Sequence, residues 1–309
     1  MITKDSHMEL QPSNLNPSDW KELSKAVNAL GDSEFEFTEK DFNFIREFIY
    51  QTAGIQLADS KQRMVYGRVV KRVRSLKLNS ISNYLQFMQT SPDEREMLIN
   101  ALTTNKTHFF RESHHFDFVK KELLPNWKGK ETIRIWSSAS STGEEPYSLA
   151  CLLHLYDIYA KTKGIPHNLT KYKLLATDLD TNVLKKAKQA VYDESSANNI
   201  PSLYLKHCFV KGKGANAGKI RMRPEIASMV TFNQLNLLEQ WPMKNKFDLI
   251  FCRNVMIYFD KPTQEKLLTR FHQQLAPNGY LIIGHSEGVG SLEHLYEPLG
   301  MTIYKKIGS

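Results

Sequence analysis

From Thr132 onwards the chain alternates short apolar runs with helical patterns, and no other feature constrains its fold as strongly. Such alternation is the signature of a parallel sheet with crossover helices. It opens on TIRIWSSASSTGEEPYS, Thr132 to Ser148, which reads as a buried strand (Ile133, Ile135), a loop of tiny residues and a helix starting near Glu144-Glu145-Pro146. No side chain from Ser137 to Gly143 exceeds threonine, so the backbone can approach a bound molecule, and Gly143 supplies the φ freedom of a tight turn. A phosphate loop would present bare N–H groups and often a lysine. Two carboxylates at the helix start suit a cationic or hydroxyl-bearing ligand instead, although acids there also simply complement the helix dipole.

Further strands are expected at Tyr172–Thr177, Phe247–Cys252, Tyr280–Gly284 and Met301–Lys306, and helices at Pro146–Tyr159, Thr181–Ala190 and Pro262–Leu275. Residues 203–232 break the alternation with two short apolar runs around the Gly-rich turn GKGANAG, which predicts a β-hairpin insert. Ahead of the sheet, residues 1–36 are polar and read as a flexible lead with a short helix at Trp20–Leu30. Residues 37–103 read as a small helical domain that begins at a cap-like Thr38-Glu39-Lys40-Asp41. Its second helix, about Ser60–Leu76, carries Arg63, Arg68, Lys71, Arg72 and Arg74 and no acid, so it reads as a docking surface for an acidic partner. Residues 104–130 link the two domains. Hydroxyl, amide and guanidinium groups crowd beside two aromatics in LTTNKTHFFRE, too rich a mixture for a passive connector.

Composition narrows the class. At 309 residues, 41% apolar and 24% charged, the chain has the make-up of a soluble globular protein. No apolar run approaches the ~20 residues of a membrane span. Cys151, Cys208 and Cys252 are far apart and form no CxxC, which fits core filler in a reducing compartment and predicts no metal site. The formal charge of +8 favours an acidic partner without choosing among nucleic acid, membrane and protein.

Three strand ends carry the chemistry: the small loop with its acids, Asp178 after the second strand, and Arg253-Asn254 after a later one. An acid after the second strand is where doubly wound folds grip ribose hydroxyls. GxGxxG is absent and Gly143 to Asp178 exceeds the ~20-residue spacing of a dinucleotide fingerprint, which argues against a nicotinamide cofactor. S-adenosylmethionine, a sulfonium with a ribose diol, fits acids at both loops.

LTTNKTHFFRE, WSSASSTGEEPYSLA, ATDLDTNVLKKAK, FNQLNLLE and FCRNVMIYFDKPTQEKLLTRFHQQLAPNGYLIIGHSE together resemble the chemotaxis receptor glutamate methyltransferases, the CheR family, from residue 38 to about 305. The resemblance implies a Rossmann-like class I S-adenosylmethionine-dependent methyltransferase domain, residues 131–309. It carries a small antiparallel β-subdomain and follows an all-α N-terminal domain. The implied reaction makes γ-glutamyl methyl esters on the cytoplasmic helices of methyl-accepting chemoreceptors. Asn105, Thr107, Arg111, Glu145 and Asp178 are assigned to the cofactor pocket by motif position, with Asp178 on the ribose, Asn236-Leu237 beside the adenine and Arg253-Asn254 closing the pocket. The choice of Glu145 over Glu144 rests on register alone. Arg111 and Tyr258 resemble the pair nearest the transferred methyl and the substrate carboxylate.

Residue chemistry agrees. A glutamate is ionised near neutral pH and needs no general base, only desolvation and aim. His114, His115 and His285 are therefore expected to be structural or merely near the pocket, not bases. The implied protein is a cytoplasmic monomer recruited to membrane receptor arrays, without metal, nucleic acid or membrane insertion. Some members of the family capture a receptor's C-terminal peptide at the β-subdomain by strand addition, and the full-length GKGANAG turn sides with them. Two alternatives compete. A nucleic-acid methyltransferase would need an N/D-P-P-Y/F motif where this chain has Arg253-Asn254-Val255-Met256. A non-catalytic S-adenosylmethionine-binding adaptor would not need Arg111 and Tyr258.

Overall fold

A computed structural model of the chain describes residues 34–127, 130–165 and 168–308. The helix expected at Trp20–Leu30, and all but the end of the 1–36 lead, lie outside the described residues. Helix α1 (Glu39–Ala53) starts on a reciprocal cap: the Thr38 hydroxyl accepts Asp41 N–H at 3.1 Å, and the Asp41 carboxylate accepts Thr38 N–H at 3.0 Å. Phe42, Ile45 and Ile49 then fall on its buried face. Helices α2 (Gln62–Ser75), α3 (Ile81–Thr90) and α4 (Pro92–Leu102) close a separate apolar core around Val65, Val69, Tyr84 and Leu98.

The cations of α2 read as an uncompensated run, and the structure corrects that. Arg72 forks onto Glu94 of α4 at 2.8 and 2.7 Å, and the Tyr84 hydroxyl donates to the same carboxylate at 2.9 Å. Arg68 turns inward and donates to the carbonyls of Leu102 and Thr103 at 2.6 and 2.9 Å. Arg74 pairs with Glu34. The compensating groups come from other segments, where a reading confined to one helix cannot see them. Arg63 and Lys71 are exposed.

The linker contains α5 (Ser113–Phe118), continued through a π-turn at Val119–Leu123, and is followed by β1 (Ile133–Ser137), α6 (Glu144–Thr162), β2 (Tyr172–Asp178) and α7 (Thr181–Gln189). The chain next forms β3 (Val191–Asp193), α8 (Ser202–Cys208), β4 (Phe209–Lys211), β5 (Lys219–Met222), α9 (Pro224–Ala227) and β6 (Val230–Gln234). It finishes with β7 (Phe247–Cys252), α10 (Lys261–Gln274), β8 (Leu275–Ile283), β9 (Tyr296–Gly300) and β10 (Ile303–Lys306). The main sheet runs β6-β2-β1-β7-β8-β10-β9, parallel except that β10 is antiparallel to both its neighbours. This is the predicted Rossmann-like architecture, with β1 inside the sheet between β2 and β7 and Trp136 fully buried against Trp241, Phe247 and Phe271.

The insert differs from the expected 203–232. Its antiparallel sheet, β3-β5-β4, starts at Val191. The run ending at Phe232 belongs to the main sheet as β6, paired with β2. Alternating apolar residues look alike in either sheet, so the local pattern could not assign the partner. Strand β9 was not legible either, since YEPLG exposes all but its first residue.

The two roles within α2 are separable. Arg72→Ala leaves the buried Glu94 carboxylate without its cation and should cost about 1.5–3 kcal/mol in urea denaturation. Lys71→Ala, on the exposed face, should stay within about 0.5 kcal/mol of the parent.

Candidate functional site

The carboxyl ends of β1, β2 and β7 converge beside the linker and the end of α1. Together they enclose a cavity of about 980 Å³, open solvent at its mouth included. Asn105, Thr107, Arg111, Glu145, Asp178, Asn236, Leu237, Arg253, Asn254 and Tyr258 all line it. The loop after β1 bends sharply: Ser141 and Gly143 have φ of 48° and 94°. A Cβ on Gly143 would meet Ala187 Cβ at 3.0 Å, Tyr147 Cε2 at 3.2 Å and the Tyr192 hydroxyl at 3.2 Å, so this turn needs glycine. Tyr192, from β3 of the insert, donates to the Thr142 carbonyl at 2.8 Å and braces the loop from outside.

The two acids at the start of α6 now separate. Glu145 lines the cavity, accepting from the Ser137 hydroxyl at 2.7 Å and facing Arg253 Nη1 at 3.3 Å. Glu144 is off the cavity wall and accepts from the Thr142 hydroxyl at 2.6 Å. Burial pushes both carboxyls up. Asp178, at the end of β2, accepts Ser141 N–H at 2.7 Å and Asp180 N–H at 2.9 Å. Its pKa is pushed up to about 6, chiefly by burial.

Arg253 is the buried cation of the site, its side chain 2% exposed. It reaches Glu145, stands 3.6 Å from Glu112, and donates to the Arg111 carbonyl. Among the described residues its Nε has no hydrogen-bond partner. Burial is the largest influence on the Glu112 carboxyl and raises it, but Arg253, His285, His115 and Asn254 together outweigh burial and hold it below the usual range. Arg111 sits between two left-handed residues, Phe110 (φ 52°) and Glu112 (φ 55°), each strained by about 1 kcal/mol or more. Phe110 N–H is held by the Ser148 hydroxyl at 2.9 Å, and the Arg111 guanidinium rests on the Lys106 carbonyl at 3.0 Å, partly exposed.

Several contributors were not legible in the sequence. Asp180 caps α7 with one oxygen, while the other takes Asn105 Nδ2 at 2.7 Å and the Thr103 hydroxyl at 2.9 Å. Asn105 thus reaches the cavity wall with its amide already engaged. Asn236 likewise spends its Nδ2 on the Thr52 carbonyl at 2.8 Å, tying the sheet domain to α1. Gln56 N–H donates to the Tyr258 carbonyl at 2.9 Å, and the Tyr50 hydroxyl to Asp260 at 2.7 Å. The available signals were an acid just before a helix in DLDTN and an acid after FFR, neither specific alone. His115 is fully buried, its pKa pushed down to about 4 by burial, and its Nε2 lies 2.8 Å from the Met301 carbonyl. Glu112, His114 and His115 lie close enough to suggest metal ligands, but Glu112 already faces the Arg253 guanidinium, which disfavours a cation there.

These groups fit S-adenosylmethionine. Glu145 and Asp178 offer acceptors to an ammonium and a ribose diol, Arg111 and Arg253 offer guanidinium groups to a carboxylate, and Ile55, Leu235, Leu237 and Val255 form an apolar wall for a base.

Comparison with known proteins agrees with this chemistry. Residues 105–305 match the family described as CheR methyltransferase, SAM binding domain, and residues 40–103 match CheR methyltransferase, all-alpha domain. The chain is 42% identical to Chemotaxis protein methyltransferase 2 of Pseudomonas aeruginosa over 275 residues, 89% of this chain and 95% of that one. It is also 42% identical to the Chemotaxis protein methyltransferase of Escherichia coli, over 86% of this chain and 91% of that protein. The same identity holds for the Salmonella typhimurium protein of that name, over 86% and 90%. The chain belongs to the CheR methyltransferase family.

Proposed function

We propose that this chain is a protein-glutamate O-methyltransferase that moves the methyl group of S-adenosylmethionine onto glutamate side chains of chemoreceptors, forming γ-glutamyl methyl esters. One observation carries the reading. A single cavity combines acids fit for a cationic, diol-bearing donor with Arg111 and Tyr258, two partly exposed groups able to hold a carboxylate. When bound, the donor supplies an already activated methyl group on a sulfonium. The chain's own residues bind, orient and exclude water. Glu145 and Asp178 hold the donor, and Asn236-Leu237 with Arg253-Asn254 complete its pocket. Arg111 and the Tyr258 hydroxyl desolvate the acceptor carboxylate and aim it. No proton has to move, which agrees with a buried His115 held neutral near pH 7.

The partners follow from the surface. Exposed Arg63 and Lys71 on α2 dock the acidic cytoplasmic helices of the receptor, whereas Arg72 braces α2 against α4 and Arg68 holds the Leu102 and Thr103 carbonyls. The insert's sheet leaves β3 and β4 as edges, with Val191 and Val210 exposed, and such an edge suits strand addition by a receptor's C-terminal peptide. Among the described residues no helix is long and apolar enough to cross a membrane. We place the protein in the cytoplasm as a monomer, working at receptor arrays.

A radiolabelled methyl-transfer assay with receptor membranes tests the reaction. Base-labile label on receptor protein is expected, and base-stable label or label on RNA would sink the ester assignment. In the same assay Arg111→Ala should lower kcat by about a hundredfold or more with an unchanged melting curve. The Kd of S-adenosylmethionine should tighten as pH rises through about 6, because ionised Asp178 is the better acceptor of ribose hydroxyls. In the free protein the sign is opposite: a carboxyl raised above its ordinary 3.8 contributes stability that is lost as pH rises through about 6. Calorimetric titration of Asp178→Asn should show a weaker Kd without that pH step. Reversing charge at Arg63 and Lys71 should raise the receptor KM and flatten its salt dependence while leaving cofactor affinity alone. Calorimetry with receptor C-terminal peptides reports separately on the sheet edge, where absence of binding would remove it as a peptide site.

A further inference from the structure

The segment after β7 carries Arg253, Asn254 and Tyr258, yet it lies outside the sheet and contains only a short 3-10 turn, Met256–Tyr258. Asn254 is left-handed, with φ 58°. Tyr258 and Phe259 donate their N–H groups within the segment, to Val255 and Met256. Two earlier donors leave it altogether. Asn254 N–H goes to Glu287 Oε2 at 2.9 Å, and Met256 N–H to Glu287 Oε1 at 2.8 Å. The same Oε2 accepts Gly284 N–H at 2.6 Å. One half-buried carboxylate therefore closes three backbone donors from two segments. Among the described residues it forms no ion pair and does not line the cavity.

We propose that Glu287 is a positioning residue for methyl transfer, setting the conformation of the 253–258 segment and so aiming Arg253 and Asn254 at the donor and Tyr258 at the acceptor. This rests on the reading of the cavity given above. The negative charge strengthens each of the three bonds. An amide in its place would turn an NH2 towards at least one N–H donor and lose that bond. Gly284 is the second half of the device. A Cβ there would lie 2.5 Å from Asn254 Nδ2, 2.8 Å from Glu287 Oε2 and 2.9 Å from Asn254 N. The carboxylate can reach the left-handed Asn254 only because that space is empty.

Glu287→Gln and Gly284→Ala reach the same segment by different routes, so the second keeps the test open should the first unfold. In the full chain, calorimetry gives the Kd of S-adenosylmethionine, the radiolabel assay gives kcat and the receptor KM, and circular dichroism gives Tm. Both variants should weaken the cofactor by about tenfold or more, the equivalent of one charge-assisted hydrogen bond, and lower kcat at saturating cofactor. The receptor KM should change less than the cofactor Kd, since the docking residues Arg63 and Lys71 are left unaltered. Unchanged Kd and kcat in folded variants, with only Tm reduced, would overturn the positioning role. If the parent protein itself bound no S-adenosylmethionine, the reading of the cavity would fall instead.

Discussion

A guanidinium buried between two carboxylates holds this site together. Arg253 leaves β7 with almost no contact with water, and such a charge is tolerable only when it is paired and hydrogen-bonded. Its partners arrive from different directions: Glu145 from the start of α6, Glu112 and the Arg111 carbonyl from the linker. Each partner satisfies part of one buried cation, so the three segments are fixed by a shared electrostatic requirement rather than by regular structure. The strained backbone on either side of Arg111 persists because this cluster over-determines it.

Around that cluster the site is layered. Glu145 and Asp178 face the cavity. Behind them Ser137, Ser141 and the Asp180 N–H satisfy their remaining oxygens, and Tyr192 and Ser148 fix the loops. A carboxylate held by such donors keeps its orientation without a bound ligand, which lowers the cost of ordering the site on binding.

Much of this was legible from residues alone. The β/α alternation, the capped first helix and the strand-end acids each carry a local physical signature, and the long motifs brought Asn105, Arg111, Asp178 and Tyr258 to one place. What stayed hidden was non-local. Nothing within α2 announces that Glu94, 22 residues on, waits for Arg72, or that Arg68 serves the carbonyls of Leu102 and Thr103. The Glu144–Glu145 ambiguity is a matter of helical register, resolved only by which acid faces Ser137 and Arg253. Val230–Gln234 has the alternation of a hairpin strand, and only pairing with β2 assigns it to the main sheet.

The ties across the two domains have an evolutionary consequence. Tyr258 is anchored by Gln56, Asn236 by Thr52, and Asp180 accepts from both Thr103 and Asn105. Each pair places one partner in the all-α domain or linker and the other in the catalytic domain. The boundary near residue 103 is therefore a poor seam for recombination, because an exchanged helical domain would bring its own Thr103 and Gln56 equivalents to a cavity shaped by others. Change is easier on the outward face of α2, where exposed residues such as Arg63 and Lys71 do not line the pocket.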